Sequence, residues 1–491
     1  MKKEIKPSKS IKMKNKILLF VSAMLLSVAS AFAQGGQCGD NLTWTFNSET
    51  GMLTISGTGE MWNFSDVPWE PHLPWKSYLS QITQINIDNG VTSIGNIAFQ
   101  DCINLTSVNS PNSIVSIGQY AFYNCINLAS FNFSNSIVSI EGYAFYNCSK
   151  LTSVSFYDNV KNIGYYAFGS CTSLTSVDIP NCVEYIEMEA FADCTTLSSV
   201  TIGNNVTYIG SAAFRNTPWF NNQPDGLVYM GKVLYIYKGT MPENTAIEVR
   251  DGAISITGEA FGYQTGLISI IIPNNVTDIG YSTFESCTSL TSIHIPEGVT
   301  TIGAGAFFNC SALVSVNIPE GVTTIENGTF YNCTALTSIT IPQNVTSIGY
   351  EAFADCTSLL SITSLNLIPP GFMEGWFIPY DVFNGVDKTS CVLRVPASSV
   401  SWYKRAFVWE EFDNIVGIET AIEETSISAM RIYPNPTTDK VYTDTESAIK
   451  VYNLQGILLQ ETFGNQVDLS AYPPGVYLFL VEGKTKKIIK N

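Results

Sequence analysis

Residues 284–306 read FESCTSLTSIHIPEGVTTIGAGA, and Phe307 then opens the same pattern again. Moving outward, phenylalanine recurs every 23 residues at Phe99, Phe122, Phe145, Phe168, Phe191 and Phe214, and again at Phe261, Phe284, Phe307, Phe330 and Phe353. Counted from each Phe, Cys is usual at +3, Leu at +6, Val or Ile at +9, Ile often at +11, Pro often at +12, Val or Ile at +15, Ile at +18, Gly at +19 and Ala at +22. Each apolar position returns once per period. Stacked copies therefore place like on like in buried ladders, which defines a repeat solenoid.

Within one copy, the run Leu290 to Ile295 has β-branched residues near its end, and Pro296 stops it, so it predicts the main strand. A second extended piece is predicted over Val299 to Ile302, broken by Gly303, and Ala306, Phe307 and Cys310 share one helical turn by their spacing. The interval from Phe214 to Phe261 is 47 residues. There, Ile247, Val249, Ala253, Ile256 and Ala260 keep the back half of a coil. The front half is replaced by two apolar runs around Met230, Gly231 and Lys232, which predict a β-hairpin, with Pro218 to Phe220 stapling it.

The repeated pattern from Ala98-Phe99 onward resembles the BspA-like leucine-rich repeat family of bacterial surface proteins, over about Ile82 to Leu367. Departures are Thr217 and Gln264 in the Cys slot, Thr257 in the Gly slot, and Thr283 and Thr329 in the Ala slot. Cys38 to Trp44 with Leu53 to Gly59 resembles that family's N-terminal cap, and Cys391 to Pro396 with Trp402, Tyr403 and Trp409 to Phe412 resembles its closing segment. Caps of this kind cover the otherwise open ends of a ladder. Farther on, Ile432 to Pro436, Ile449 to Gly456, Gly475 to Leu480 and Lys486 to Lys490 resemble, in order, the C-terminal sorting domain of type IX secretion substrates, and their alternation suggests a small β-sandwich. The resemblance implies handling by the type IX secretion machinery, removal of this domain, and either release or covalent attachment to surface polysaccharide.

At the N-terminus, seven lysines between Lys2 and Lys16 precede the apolar run Ile17 to Ala29, and Ala31 to Ala33 supply a small-x-small site. This predicts a signal peptide cleaved between Ala33 and Gln34, with Met1 or Met13 as start. The run is too short to span a bilayer, and no later stretch is long and apolar enough, so no transmembrane segment is expected in the mature protein. Cys38 does not directly follow the apolar run as a lipid-bearing cysteine would. The expected organisation is 1–33 signal peptide, 34–81 N-terminal cap, 82–367 solenoid with an insertion near 218–240, 368–418 C-terminal cap, 419–430 linker and 431–491 sorting domain. The fold class is thus a solenoid of short parallel strands and helical turns, followed by the small sandwich. The product is expected to be secreted or anchored at the bacterial outer-membrane surface.

A net charge of −17 disfavours polyanion partners, nucleic acid among them. Two histidines, His72 and His294, share no motif, so histidine-based metal and triad chemistry lacks its central residue. No catalytic, cofactor or metal site is expected. Nine cysteines, from Cys102 to Cys356, hold the +3 slot, and parallel side-chain vectors in a ladder disfavour disulfides, so they read as buried free thiols. Cys38, Cys182 and Cys391 lie outside that file. Asp or Asn at +2 reads as a turn residue bonding local backbone, and the ten serines at +8 are too many to be a nucleophile. Trp62, Trp69 and Trp75 read as cap core. The positive hint is aromatic: Tyr120, Tyr143 and Tyr166 share position −2 and Tyr123 and Tyr146 share +1, predicting an exposed tyrosine cluster suited to ligand contact. The favoured function is an adhesin-like binding protein contacting an extracellular protein, cell or glycan. The alternatives are a secreted enzyme acting on extracellular glycan or protein, which needs an irregular site the repeats lack, and a purely structural envelope protein.

Overall fold

A computed structural model describes residues 33–65, 67, 71–372, 382–418, 432–433, 439–453, 458–481 and 484–490. The chain divides into two compact units, residues 1–224 with 229–233, and residues 225–228 with 234–491. The expected signal peptide, apart from Ala33, and the expected linker lie outside the described residues.

The first unit opens with an antiparallel meander of Ala33–Gly39, Leu42–Asn47 and Met52–Gly57. The last of these strands then pairs in parallel with Gln84–Ile87, which pairs in parallel with Ser107–Asn109. The meander thereby covers the end of the ladder and supplies its first rung. A second parallel sheet runs from Gly59–Glu60 through Val91–Ile94, Ser116–Ile117, Ser139–Ile140, Asn162–Ile163 and Tyr185–Ile186 to Tyr208–Ile209. Its isoleucines face one another one period apart, as Ile117 does Ile140 and Ile140 does Ile163. The other ladder has no strand between Asn109 and Val154. There, Phe131 and Phe133 occupy the +9 and +11 positions and pack on Phe122 and Phe145 instead.

The repeated phenylalanines form a buried column. In the first unit, Trp75 stacks on Phe99, the rings from Phe99 to Phe214 follow at centroid spacings of 5.1–5.4 Å, and Trp219 closes on Phe214. In the second unit, Tyr237 meets Phe261, the column runs through Phe284, Phe307, Phe330 and Phe353 to Phe383, and Trp409 packs against Phe383. Phe383 lies 30 residues after Phe353, outside the strict period, yet continues the stack at 5.5 Å. The parallel ladder likewise passes from Ser338–Ile341 and Ser361–Ser364 to Val392–Pro396 and Asn414–Ile418. The predicted hairpin forms as Gly226–Met230 and Val233–Lys238. Pro218 to Phe220 lie in a short helix, Pro218–Asn221, capped by the Thr217 hydroxyl, and Trp219 ends the column.

The expected strand over 290–295 is only Ser292–Ile293. The Asn317 side chain bonds both the N–H and the C=O of Ile295, at 2.8 and 2.7 Å, replacing the next backbone rung. The turn around each phenylalanine is a succession of i to i+3 closures that never extends into a helix. Tyr123 N–H bonds Tyr120 C=O and Cys125 N–H bonds Phe122 C=O, while the intervening N–H groups of Tyr120, Phe122 and Asn124 reach Gly142, Ala144 and Tyr146 on the next coil. This alternation requires left-handed backbone at −2 and +2, as at Tyr120 (φ 57°) and Asn124 (φ 60°).

That geometry corrects the role expected of the +2 residues. Asn and Asp suit the position because they tolerate positive φ, but their side chains bond along the axis rather than to local backbone. Asn124 Nδ2 donates to Asp101 Oδ1, Asn147 to Asn124, Asn216 to Asp193 and Asn332 to Asn309, at 2.7–2.8 Å. The cysteines are free. Ladder thiols donate to the phenylalanine carbonyl of the preceding coil, as Cys148 does to Phe122 at 3.2 Å and Cys333 to Phe307 at 3.2 Å. The slot therefore suits a small, apolar, weakly donating group. Gln264 departs where the preceding coil is the hairpin, and its side chain instead bonds Met241 N–H and Gly239 C=O.

The expected sandwich at the C-terminus is one antiparallel five-stranded sheet of Ile432–Tyr433, Lys440–Tyr452, Leu458–Asp468, Gly475–Val481 and Lys484–Lys490. A register shift between Tyr442 and Ser447 breaks the long strand into two halves, and both contribute to one core with Val441, Ile449, Val451, Val467, Leu469 and Phe479.

Candidate binding face and family

The five predicted tyrosines do come together on one edge of the first unit. Tyr120 stacks on Tyr143 and Tyr143 on Tyr166, both at 4.8 Å and nearly parallel, while Tyr123 stacks on Tyr146 at 5.2 Å. The two columns are inclined to each other, with Tyr143 at 66° to Tyr146 and Tyr120 at 57° to Tyr123. The rings are half-buried rather than exposed, because each covers the face of the next. Burial pushes the hydroxyls of Tyr120, Tyr123, Tyr143 and Tyr166 up, Tyr166 to about 12 with Glu189 adding to the effect. They stay protonated donors at neutral pH.

Several residues of this face lie outside the expected cluster. Tyr165 stands at 87° to Tyr143, its ring fills the space over Gly142, and its hydroxyl accepts from Gln119 Nε2 at 2.8 Å. A Cβ at Gly142 would lie 2.4 Å from that ring, so a glycine at −3 of one coil makes room for the aromatic side chain at −3 of the next. Tyr166 donates to Glu189, which pairs with Arg215 at 2.5 Å, and Arg215 also meets Asp193 at 3.2 Å. Gly142 directly precedes Tyr143, and that was the only signal in the sequence. The result is a rigid aromatic herringbone closed at one end by an ion-pair cluster.

Backbone strain runs along the whole turn edge. Position −2 is left-handed in coil after coil, a conformation that costs an L-residue roughly 1–2 kcal/mol and glycine almost nothing. Gly305 and Gly328 occupy it in the second unit, with φ of 63° and 59°. Ile97, Glu189, Ala212, Glu259, Ser282 and Glu351 hold the same position with φ of 48–63°, so the strain belongs to the scaffold, and the three successive tyrosines differ from them in the surface they present.

The remaining candidates lead elsewhere. Trp75 is fully buried and donates to Ala98 C=O at 2.7 Å, Trp62 is half-buried and donates to Asp40, and Trp69 lies outside the described residues. His72 Nδ1 lies 3.1 Å from Ser65 C=O, and His294 is exposed on the strand face. Among the described residues, no three His, Cys, Asp or Glu side chains gather as a metal site would need. Ala33 and Gln34, the expected cleavage pair, begin the first strand, where Gln34 pairs with Phe46 and its side chain accepts from Tyr78.

A family model described as BspA type Leucine rich repeat region matches in six copies, over residues 77–171, 116–223 and 243–368, more than half of the chain. The chain belongs to the BspA-type leucine-rich repeat family. Residues 431–491 match the secretion system C-terminal sorting domain, so this BspA-type protein carries a tail that supports export. Among solved structures, it is similar to a leucine-rich repeat protein from Eubacterium ventriosum, at 22% identity over 72% of this chain and 95% of that one, with a TM-score of 0.40. It is also similar to a leucine rich cell surface protein from Faecalibacterium prausnitzii, at 26% identity over 72% and 99%, with a TM-score of 0.36. A leucine-rich repeat protein from Bacteroides ovatus matches at 22% identity over 78% and 100%, with a TM-score of 0.31. No curated protein matches. Among the described residues, no helix is long and apolar enough to cross a membrane.

Proposed function

We propose that this BspA-type protein is a secreted or surface-displayed, adhesin-like binding protein, and that the tyrosine herringbone is its contact face for an extracellular protein, cell or glycan. The observation that carries the reading is the run of left-handed tyrosines at Tyr120, Tyr143 and Tyr166, held in stacked register with Tyr123 and Tyr146. Pre-stacked rings lose little rotamer freedom on contact, which is why tyrosine is favoured at interfaces. Export through the type IX machinery brings this face outside the cell, with release or attachment to surface polysaccharide as the final step. The test is capture of glycans and matrix proteins on arrays by the purified mature chain and its Tyr123→Ser/Tyr146→Ser variant. The double variant is expected to lose capture by more than about tenfold. Undiminished capture sinks the tyrosine face as the contact site.

A further inference from the structure

The tyrosine edge joins a regular aromatic spacing to a set of unused hydrogen-bond donors. Tyr120, Tyr143 and Tyr166 follow one another in two steps of 4.8 Å, and Tyr123 lies 5.2 Å from Tyr146. Five half-buried rings thus recur coil by coil along one edge of the first unit. The Tyr166 hydroxyl donates to Glu189, and that of Tyr165 accepts from Gln119. Those of Tyr120, Tyr123, Tyr143 and Tyr146 make no hydrogen bond among the described residues, and none of the four is an enclosed atom. Four phenols on neighbouring coils are therefore open to a ligand, and each brings an O–H donor beside an apolar ring.

We infer that the ligand of this edge is a proline-rich protein segment in the polyproline II conformation, lying along the coil axis; the inference rests on the edge being a contact face. Such a segment has three residues per turn and rises about 3.1 Å per residue, so equivalent residues recur every 9.3 Å or so, close to the two 4.8 Å steps from Tyr120 to Tyr166. Residues i and i+3 then meet Tyr120 and Tyr166 alike. An extended strand returns to the same face every 6.6–6.8 Å, roughly, and an α-helix turns once in about 5.4 Å, so both fall out of step over the same three rings. Hydrogen bonding agrees with the spacing. A polyproline II chain makes no internal hydrogen bonds, which leaves its carbonyls free, and proline has no N–H to satisfy. It is an acceptor-rich, donor-poor ligand for a face of open O–H donors, whereas a helix spends its carbonyls internally. Proline rings pack on aromatic side chains, and the segment is ordered before it binds, so little entropy is lost. A neutral segment also escapes the repulsion that a chain of net charge −17 exerts on acidic ligands.

The experiment titrates the purified mature chain into a labelled oligoproline peptide, and separately into a glycine/serine peptide of the same length, and reads fluorescence anisotropy. The variants are Tyr123→Ser/Tyr146→Ser and Tyr120→Phe/Tyr123→Phe/Tyr143→Phe/Tyr146→Phe, the second of which keeps the stacked rings and removes only the four hydroxyls. Oligoproline is expected to bind the parent and the glycine/serine peptide not to, with affinity for oligoproline falling at least about tenfold in each variant. Melting of the phenylalanine variant should match the parent, which keeps the test decisive even where the serine variant is destabilised. A parent chain that ignores oligoproline, yet captures another protein or a glycan in a tyrosine-dependent way, overturns the polyproline II ligand and leaves the contact face standing. Capture that no tyrosine substitution weakens removes the contact face and this inference with it. Parent-level binding of oligoproline by the phenylalanine variant also overturns the inference, because hydrogen bonds to the ligand's carbonyls are then not what holds it.

Discussion

The same turn edge is built in two ways. In the first unit, position −2 carries Tyr120, Tyr143 and Tyr166, and +1 carries Tyr123 and Tyr146. In the second, Glu259, Ser282, Gly305, Gly328 and Glu351 hold −2, and the only aromatics at +1 are Phe308 and Tyr331, stacked at 4.5 Å. The backbone is left-handed at −2 in both, so the scaffold asks the same of each coil and glycine answers it at least strain. What differs is the surface. The contrast separates the ladders that make the solenoid, which the two units share, from the aromatic edge that only the first displays.

The largest effect should come from the shared part. Phe168→Asp and Phe330→Asp each bury an unpartnered carboxylate in a fully enclosed column. Each is expected to cost more than about 4 kcal/mol and to unfold its unit, as read by thermal melting and limited proteolysis. Parent-like melting in either variant breaks the equivalence of the two columns.

Next comes pH. Burial pushes the ladder thiols up, Cys194 in the first unit and Cys287 and Cys356 in the second to about 12, from an ordinary value of 9.0. The unfolded chain releases these protons first, so above pH 9 it holds fewer protons than the folded one and stability falls as pH rises towards 12. Below pH 9 the contribution is complete. Melting temperature should be level from pH 6 to 8.5 and then drop in both units, with a slope of up to about 1.4 kcal/mol per pH unit for each thiol. In the native state at neutral pH, a thiol reagent should reach the half-buried Cys182 and spare the ladder. A level profile to pH 11 contradicts the burial of the files.

These ladders were legible because their evidence is spacing: a 23-residue period in Phe, Cys, Leu and Ile survives without any knowledge of contacts. Phe383 escaped because 30 residues separate it from Phe353, and only the ring stack reveals its membership. The +2 asparagines were legible as turn residues, but the partner of Asn147 is Asn124, one coil back, and only a left-handed backbone aims the amide there. The tyrosine edge was half legible. Offsets −2 and +1 placed five rings together, yet Tyr165, at −3, joins them through space vacated by Gly142, a relation that spacing alone does not express.

Smaller is the effect of moving the edge. Gly305→Tyr/Gly328→Tyr copies the −2 column into the second unit, beside Phe308 and Tyr331. Each substitution is expected to destabilise by roughly 1–2 kcal/mol, since tyrosine replaces glycine at a φ near +60°. Capture of whatever the first unit binds should not increase, because the graft supplies two −2 rings where the herringbone has three, and Phe308 at +1 carries no hydroxyl. Enhanced capture by the graft reduces the contact face to two coils of −2 and +1 rings.

The last variant is the most telling. Tyr143→Gly removes one ring from the centre of the stack, losing contacts with Tyr120, Tyr166, Tyr123, Tyr146 and Tyr165. It also releases the left-handed strain at φ 57°, a gain of roughly 1–2 kcal/mol that opposes the loss of aromatic pairs worth about 0.5–1.5 kcal/mol each. Glycine's larger unfolded-state entropy takes part of the gain back. Five such pairs outweigh the relief, leaving a net loss of roughly 0.5–6.5 kcal/mol, whose lower end lies well below that of Phe168→Asp. Capture, in contrast, should fall as far as in the Tyr123→Ser/Tyr146→Ser variant, because the herringbone loses the ring that joins its two columns. Melting close to the parent with capture lost places Tyr143 on the display side of the comparison, where backbone strain is tolerated for the surface it produces. A drop in melting comparable to that of the phenylalanine variants, with capture unchanged, makes the edge a third structural ladder and removes the difference between the two units.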